Sequence, residues 1–309
     1  MYGYSSLQLK NKNKDCSKQI NFLFQYLKNN YSKGYSGYCW GYNFDWASSG
    51  KYIKAFSPNI VVTAFIAKGI FKYYELKKDA EALKILESIC EFILKDLPKT
   101  ETAEGICFGY TILEADCCYN ASLLAAMVLA QQYSLTQNKI YFDYAKKAVD
   151  YVVSKQHAGG HWNYSLNQKT GTERKQIDFH QGYVIDAILD FINYCSVNDT
   201  KYLEAVKKGT EFYRKEQFFE NGQSKWRLPK EYPVEIHNQS QGIITLNKID
   251  HSFAKTITKW TIENMQDEKG FFYYRKLKSY TNKIPYMRWS QAWMFVALIE
   301  LLNNTEDKK

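Results

Sequence analysis

Five stretches of this chain are apolar on nearly every side, and that constrains its fold more than any other feature. They cover residues 59–76, 120–135, 180–195, 237–249 and 288–302, and the second contains no charged residue at all. A helix without a polar face must be surrounded by protein. The Ala, Ser and Gly residues within these stretches would let neighbouring backbones approach closely. Between them lie stretches of a second kind, at 80–97, 139–156, 201–218 and 252–266, with 15–30 grouped alongside. In 139–156 the residues Tyr141, Tyr144, Ala145, Ala148, Tyr151 and Val152 fall on one stripe, with Lys146, Lys147 and Asp150 off it. That is the pattern of a helix with one wet face.

The two kinds alternate. The apolar stretches begin at 59, 120, 180, 237 and 288, so the steps are 61, 60, 57 and 51 residues. Ahead of each runs a loop with a recurring signature: Gly37-x-x-Trp40-x-Tyr42, Gly105-x-x-Phe108-x-Tyr110 and Gly159-x-x-Trp162-x-Tyr164, with looser copies at Gly222 to Trp226 and Gly270 to Tyr273. A fixed period of this size marks a repeat architecture, in which no single unit can bury its apolar face alone. The predicted fold is all-α: an α/α toroid of five to six helical hairpins, amphipathic helices outside and apolar helices inside. No linker or composition shift divides it, so one domain is expected over 1–309, with 1–14 and 303–309 frayed.

Composition narrows the partners. The net charge is +9, but the Lys residues are scattered and no nucleic-acid-binding signature accompanies them. The charge reads as a solvated surface or, more sharply, as a match for an anionic substrate such as an acidic saccharide. Aromatic residues make 17% of the chain, enough to fill a large core or to line a binding surface. The seven cysteines are odd in number and include no C-x-x-C pair, which suits neither a disulfide framework nor a zinc site. No metal and no cofactor are expected. The first fifteen residues are polar and Lys-rich, without the apolar core of a secretory signal, and no apolar run reaches the length of a membrane span. A cytoplasmic location is the expectation.

The predicted loops from outer to inner helices are long and the returns are short, so the long loops gather where the inner helices begin. Sites commonly lie on such loops, and helix N-termini favour anions. The residues at those N-termini are Asn59, Asn120, His180, His237 and Arg288. Asn59 and Asn120 read equally well as helix caps. His and Arg are not preferred caps, and a His there can act as a general base near neutral pH. Among carboxylates, Asp45 lies between aromatics in Gly41-Tyr-Asn-Phe-Asp-Trp46, Asp178 sits two residues before His180, and Glu235 two before His237. Two carboxylates facing each other would serve glycoside hydrolysis; capping is the alternative for Asp178 and Glu235. Trp40, Tyr42, Trp162, Tyr183 and Trp289 are candidate platforms for sugar faces, against the alternative that one aromatic per repeat packs each loop onto its helix.

The sequence also resembles known toroid proteins. Tyr286-Met-Arg-Trp-Ser-Gln-Ala-Trp293 is similar to the Arg-Trp-x-Gln-Ala-Trp segment of unsaturated glucuronyl hydrolases. Cys39-Trp-Gly-Tyr-Asn-Phe-Asp-Trp46, Phe179-His-Gln-Gly-Tyr-Val184, Ile236-His-Asn-Gln-Ser-Gln241 and Arg288-Trp-Ser-Gln-Ala-Trp293 resemble a family of bacterial toroid proteins encoded among polysaccharide-biosynthesis genes. Members of that family often carry the label δ-aminolevulinic acid dehydratase, a TIM-barrel enzyme whose alternating strands and helices find no counterpart here. The resemblance implies a toroid fold and a polysaccharide setting, without a reaction. Together these readings give a carbohydrate-active enzyme on an oligo- or polysaccharide. As a hydrolase it would use Asp45 with Asp178 or Glu235; as a lyase or epimerase it would use His180 or His237, with a Tyr such as Tyr42 or Tyr183 returning the proton. Arg288 would hold a carboxylate in either case. The other reading is a non-catalytic saccharide-binding or assembly protein, in which Trp40 and Trp162 would carry the binding.

Overall fold

The computed structural model describes residues 1–48 and 51–306. Eleven α-helices dominate them: α1 (Tyr2–Lys10), α2 (Ser17–Asn29), α3 (Ile60–Lys77), α4 (Ala80–Lys95), α5 (Tyr119–Thr136), α6 (Lys139–Ser154), α7 (His180–Cys195), α8 (Thr200–Glu216), α9 (Ile236–Asn247), α10 (His251–Met265) and α11 (Trp293–Glu306). The chain divides into two compact units. One comprises Met1–Lys155, Ser165–Arg174 and Ala187–Asp199; the other comprises Gln156–Tyr164, Lys175–Asp186 and Thr200–Lys309.

The apolar stretches are α3, α5, α7, α9 and α11, and the amphipathic ones α2, α4, α6, α8 and α10, with most boundaries shifted by no more than a residue or two. In α5 every residue from Tyr119 to Gln132 is buried, as a helix without a polar face requires. The last apolar stretch differs from expectation: it opens as a π-helical turn over Met287–Ala292 before α11 begins. Among the described residues, no helix is long and apolar enough to cross a membrane.

Short returns join inner to outer helices. At 78–79 and 137–138 the chain takes one left-handed residue, Lys78 or Gln137, and then a cap. Asp79 accepts from the backbone N–H groups of Glu81 and Ala82, and Asn138 from that of Ile140. These bonds satisfy N–H groups that a helix start otherwise leaves without partners.

The long loops hold short antiparallel pairings that helical periodicity could not reveal: the hairpins of Lys99–Thr102 with Gly105–Phe108 and Ser165–Asn167 with Thr172–Arg174, and Val234–Glu235 of one loop beside Arg275–Lys276 of the next. Each loop is pinned to its inner helix by a polar side chain. Thr63 bonds both the N–H and C=O of Trp40. Ser122 accepts from Phe108 N–H. Gln181 clamps the N–H and C=O of Trp162, and Gln291 does the same to Phe272. Gln239 holds Ser224 N–H and Gly222 C=O. The glycine of the signature brings the loop against an outer helix. At Gly105 (φ +144°) a Cβ would lie 2.2 Å from the carbonyl oxygen of Lys147, and at Gly160 (φ +94°) 2.4 Å from that of Lys208, so only glycine fits. In the third copy the close approach falls on Gly160, one residue beyond the Gly159 that the motif singles out.

Residues 1–14 are not the frayed segment expected from their polarity. Tyr2–Lys10 is helical with Gly3, Ser5 and Ser6 buried. It packs on α3 through small residues: a Cβ at Gly69 would sit 3.5 Å from the Tyr2 backbone nitrogen. Close backbone packing of this kind leaves no apolar stripe to read. At the other end α11 runs to Glu306, and Asp307, Lys308 and Lys309 of the expected frayed tail lie outside the described residues.

Candidate active site

The second unit brings three predicted residues together. His180 opens α7, Tyr183 follows one turn later and His237 lies in the first turn of α9. The Tyr183 hydroxyl stands 2.6 Å from His237 Nε2. Phe179 lies against both imidazoles, its ring centroid 4.2 Å from that of His180 and 4.2 Å from that of His237. The Tyr183 ring touches both as well, at 5.8 Å and 6.0 Å.

The two histidines have opposite surroundings. His180 Nδ1 lies 2.5 Å from Asp178 Oδ1. Asp178 is itself 1% exposed and also receives the backbone N–H of His180, the Gln176 amide at 2.9 Å and the guanidinium of Arg227 at 3.3 Å. Burial alone would raise its pKa; the neighbouring His180 and these hydrogen bonds override it and hold the carboxyl below its usual range. A proton on His180 Nδ1 directed at this carboxylate leaves Nε2 with its lone pair for chemistry. His237, by contrast, is 3% exposed and enclosed by the rings of Phe179, Trp289 and Trp293. Burial foremost, with the positive fields of His180 and Arg288, pushes its pKa down to about 3. Its ring is therefore neutral near pH 7. Nε2 accepts from the Tyr183 hydroxyl, and among the described residues Nδ1 has no hydrogen-bond partner. Arg288 stacks on Trp289, its guanidinium carbon 4.1 Å from the ring.

Other candidates have different fates. Trp162 is 0% exposed and sits against Gly209, where a Cβ would meet its ring at 2.7 Å. Trp40 is buried, its indole N–H donating to the Leu27 carbonyl. Both tryptophans are core residues, so the expectation that they present faces to a sugar is corrected: the repeat needs one aromatic per loop to fill the gap above its helix. Asn59 caps α3 by accepting from Val62 N–H at 2.9 Å. Asn120 is not a cap: α5 begins one residue earlier, and Asn120 Oδ1 accepts from the Cys118 thiol within the core. Tyr42 stacks on Phe44.

Each candidate carboxylate is engaged by neighbours of its own. Exposed Asp45 accepts from the Tyr52 hydroxyl and the Ala55 N–H, which hold its pKa below the usual range. Glu235 receives both Nε and Nη2 of Arg275, at 3.0 Å and 2.7 Å. Neither Asp45 nor Asp178 has the raised pKa that a general acid on a leaving oxygen needs. Sequence reasoning missed Phe179, Arg227 and Trp293. Phe179 and Trp293 lie inside motifs already quoted, but an aromatic beside a His carries no signal of stacking. Arg227 reaches Asp178 from a separate loop. Among the described residues, no three His, Cys, Asp or Glu side chains gather as metal ligands.

The alternation of all-apolar and amphipathic helices, joined by short returns and pinned loops, is an α/α-toroid fold. Solved structures share it. The chain is similar to cellobiose 2-epimerase from Bacillus thermoamylovorans (TM-score 0.72, 15% identity, over 99% of this chain and 85% of that one). It is similar to a family 76 glycoside hydrolase, a mannosidase, from Bacteroides thetaiotaomicron (0.72, 14%, 100% and 86%). It is also similar to a D-mannose isomerase (0.68, 13%, 96% and 84%). At these identities the likeness is one of fold. No family model and no curated protein matches the sequence.

Proposed function

We propose that this protein is a carbohydrate-active enzyme that moves a proton at a carbon of an oligo- or polysaccharide, as an epimerase, isomerase or lyase does, and is not a glycosidase. The arrangement that carries this reading is the pair of imidazoles around Phe179, one oriented by Asp178 and the other neutral and bonded to the Tyr183 hydroxyl. His180, oriented by Asp178, suits the base, and the Tyr183 hydroxyl, held by a neutral His237, suits the proton donor. His180 Nε2 takes the carbon-bound proton, and the electron pair passes to the neighbouring carbonyl or carboxylate oxygen. Tyr183 gives its hydroxyl proton to the substrate, and the phenolate it leaves recovers one through solvent, which also takes the proton collected by His180; neutral His237 holds the Tyr183 oxygen in place. Trp289 offers a face to the sugar ring, and Arg288 beside it takes an acidic group. Two of the fold neighbours reported above, a cellobiose 2-epimerase and a D-mannose isomerase, are named for rearrangements at sugar carbons, which supports the same choice. The motif resemblance adds a setting, bacterial polysaccharide biosynthesis.

Single substitutions separate this reading from its rivals. In turnover of a sugar panel, His180→Asn and His237→Asn are expected to lose about 100-fold or more, the scale of general acid–base catalysis, and Asp45→Asn to retain activity. Loss confined to Asp45→Asn would restore the hydrolase. A wild type that binds saccharide but turns over none would leave the non-catalytic binding protein.

A further inference from the structure

The segment running into the site from the last long loop carries a charge pattern found nowhere else in the chain. Arg275-Lys-Leu-Lys-Ser-Tyr-Thr-Asn-Lys-Ile-Pro-Tyr-Met-Arg288 holds five cations and no carboxylate. It folds as a hairpin, with Arg275–Lys276 paired to Thr281–Asn282. Large apolar side chains on its tip and descending arm face solvent: Tyr280 is 62% exposed, Met287 79%, and Ile284 and Tyr286 are exposed as well. Arg275 is taken by Glu235. Lys278 makes no ion pair among the described residues and lies 5.7 Å from the Tyr232 ring; Lys283 lies 5.1 Å from the Tyr273 ring, within the field of Asp267, whose carboxylate the Tyr273 hydroxyl bonds.

Both ends of the hairpin are tied to the candidate site. Its first strand pairs with Val234–Glu235, directly ahead of the α9 helix that carries His237. Its second arm leads through Tyr286 into the π-helical turn that holds Arg288 and Trp289. An exposed patch that mixes apolar rings with an excess of positive charge marks an interaction surface.

We infer that this hairpin is a docking arm for an acidic saccharide chain, whose uronate carboxylates meet Lys278 and Lys283 while Tyr280 and Tyr286 face the sugar rings. The charge complementarity decides the occupant: alternating rings and ammonium groups match a polymer that presents an apolar sugar face and a carboxylate at each unit. The inference rests on the saccharide reading above and extends it from a single sugar at the imidazoles to a longer chain held beside them.

Titration calorimetry with oligogalacturonates of increasing length, galacturonic acid and neutral cello-oligosaccharides tests it, using the wild type, Lys278→Ser/Lys283→Ser and Tyr280→Ser. Long oligogalacturonates are expected to bind at least about tenfold tighter than the monomer or the neutral chain, and the double variant to lose about that factor, the scale of two partly exposed charge contacts. Added salt should weaken the wild type more than the double variant. Binding that ignores chain length, or a double variant that binds as the wild type does, overturns the arm. Equal affinity for poly(dT) would assign the patch to polyanions at large, and a concentration-dependent dimer dissolved by Tyr280→Ser would assign it to a second copy; either overturns the proposal. If the arm fails while His237→Asn still abolishes sugar turnover, the saccharide reading stands without it. Failure of every saccharide to bind or react removes both.

Discussion

His237 couples the candidate site to stability. Its pKa falls from the model-compound value of 6.5 to about 3 on folding, burial being the main cause. Between those values the unfolded chain binds the proton that the folded chain refuses. Stability therefore rises with pH across this window and is lost as pH falls through 6.5, at up to about 1.4 kcal/mol per pH unit. Asp178, held low, adds a loss of the same sign at more acid pH. Thermal melts from pH 7 to pH 4 should show a steep fall that His237→Asn flattens; parallel profiles for the two proteins would contradict a buried neutral ring. Tyr183→Phe keeps the ring packing and removes only the hydroxyl 2.6 Å from His237. It should lower kcat by about 100-fold with little change in KM, read from steady-state kinetics. Asp178→Asn should shift the pH–rate profile as well as its height, because it alters the tautomer of His180 and not the packing alone.

The helices and loops are where sequence and structure can be compared most directly. Helix positions were legible because an all-apolar stretch such as 120–135 can only be an interior helix. Short returns were legible from the spacing of the stretches, but the left-handed residue and cap that make them at Lys78-Asp79 and Gln137-Asn138 were not. The Gly-x-x-Trp-x-Tyr signature was visible as a repeat, but its meaning was not. Its aromatics look like sugar platforms until the bonds from Thr63 to Trp40 and from Gln181 to Trp162 show them fastened into the core. A polar inner-helix residue reads in sequence as a candidate ligand contact, and only its partner reveals a clamp. The same limit hid Arg227, whose partner Asp178 is brought close by the fold alone. Two substitutions test the clamps. Gln239→Leu strands Ser224 N–H and Gly222 C=O in the interior, while the Thr261 hydroxyl keeps its bond to the Ile257 carbonyl, and should cost about 2–4 kcal/mol. Gly209→Ala drives a methyl into the Trp162 ring and should cost about 1–3 kcal/mol. Urea denaturation measures both, and a change within experimental error at either position would mean that the loop is not held as described.

At the scale of the whole molecule, one toroid fold accommodates neighbours named as an epimerase, an isomerase and a mannosidase, so the fold leaves the reaction open and the site must decide it. Carboxylates already committed to Tyr52, Arg227 and Arg275 argue against glycosidic cleavage, and the His180–Phe179–His237 array argues for proton transfer at carbon. The most direct measurement is incubation of the wild type, His180→Asn and His237→Asn in deuterium oxide with cellobiose, mannose and oligogalacturonates, followed by mass spectrometry and proton NMR of the sugars. The account predicts carbon-bound deuterium or a new carbon–carbon double bond in at least one sugar with the wild type, and neither with the two variants. Shortened chains with no deuterium on carbon and no unsaturation would contradict it.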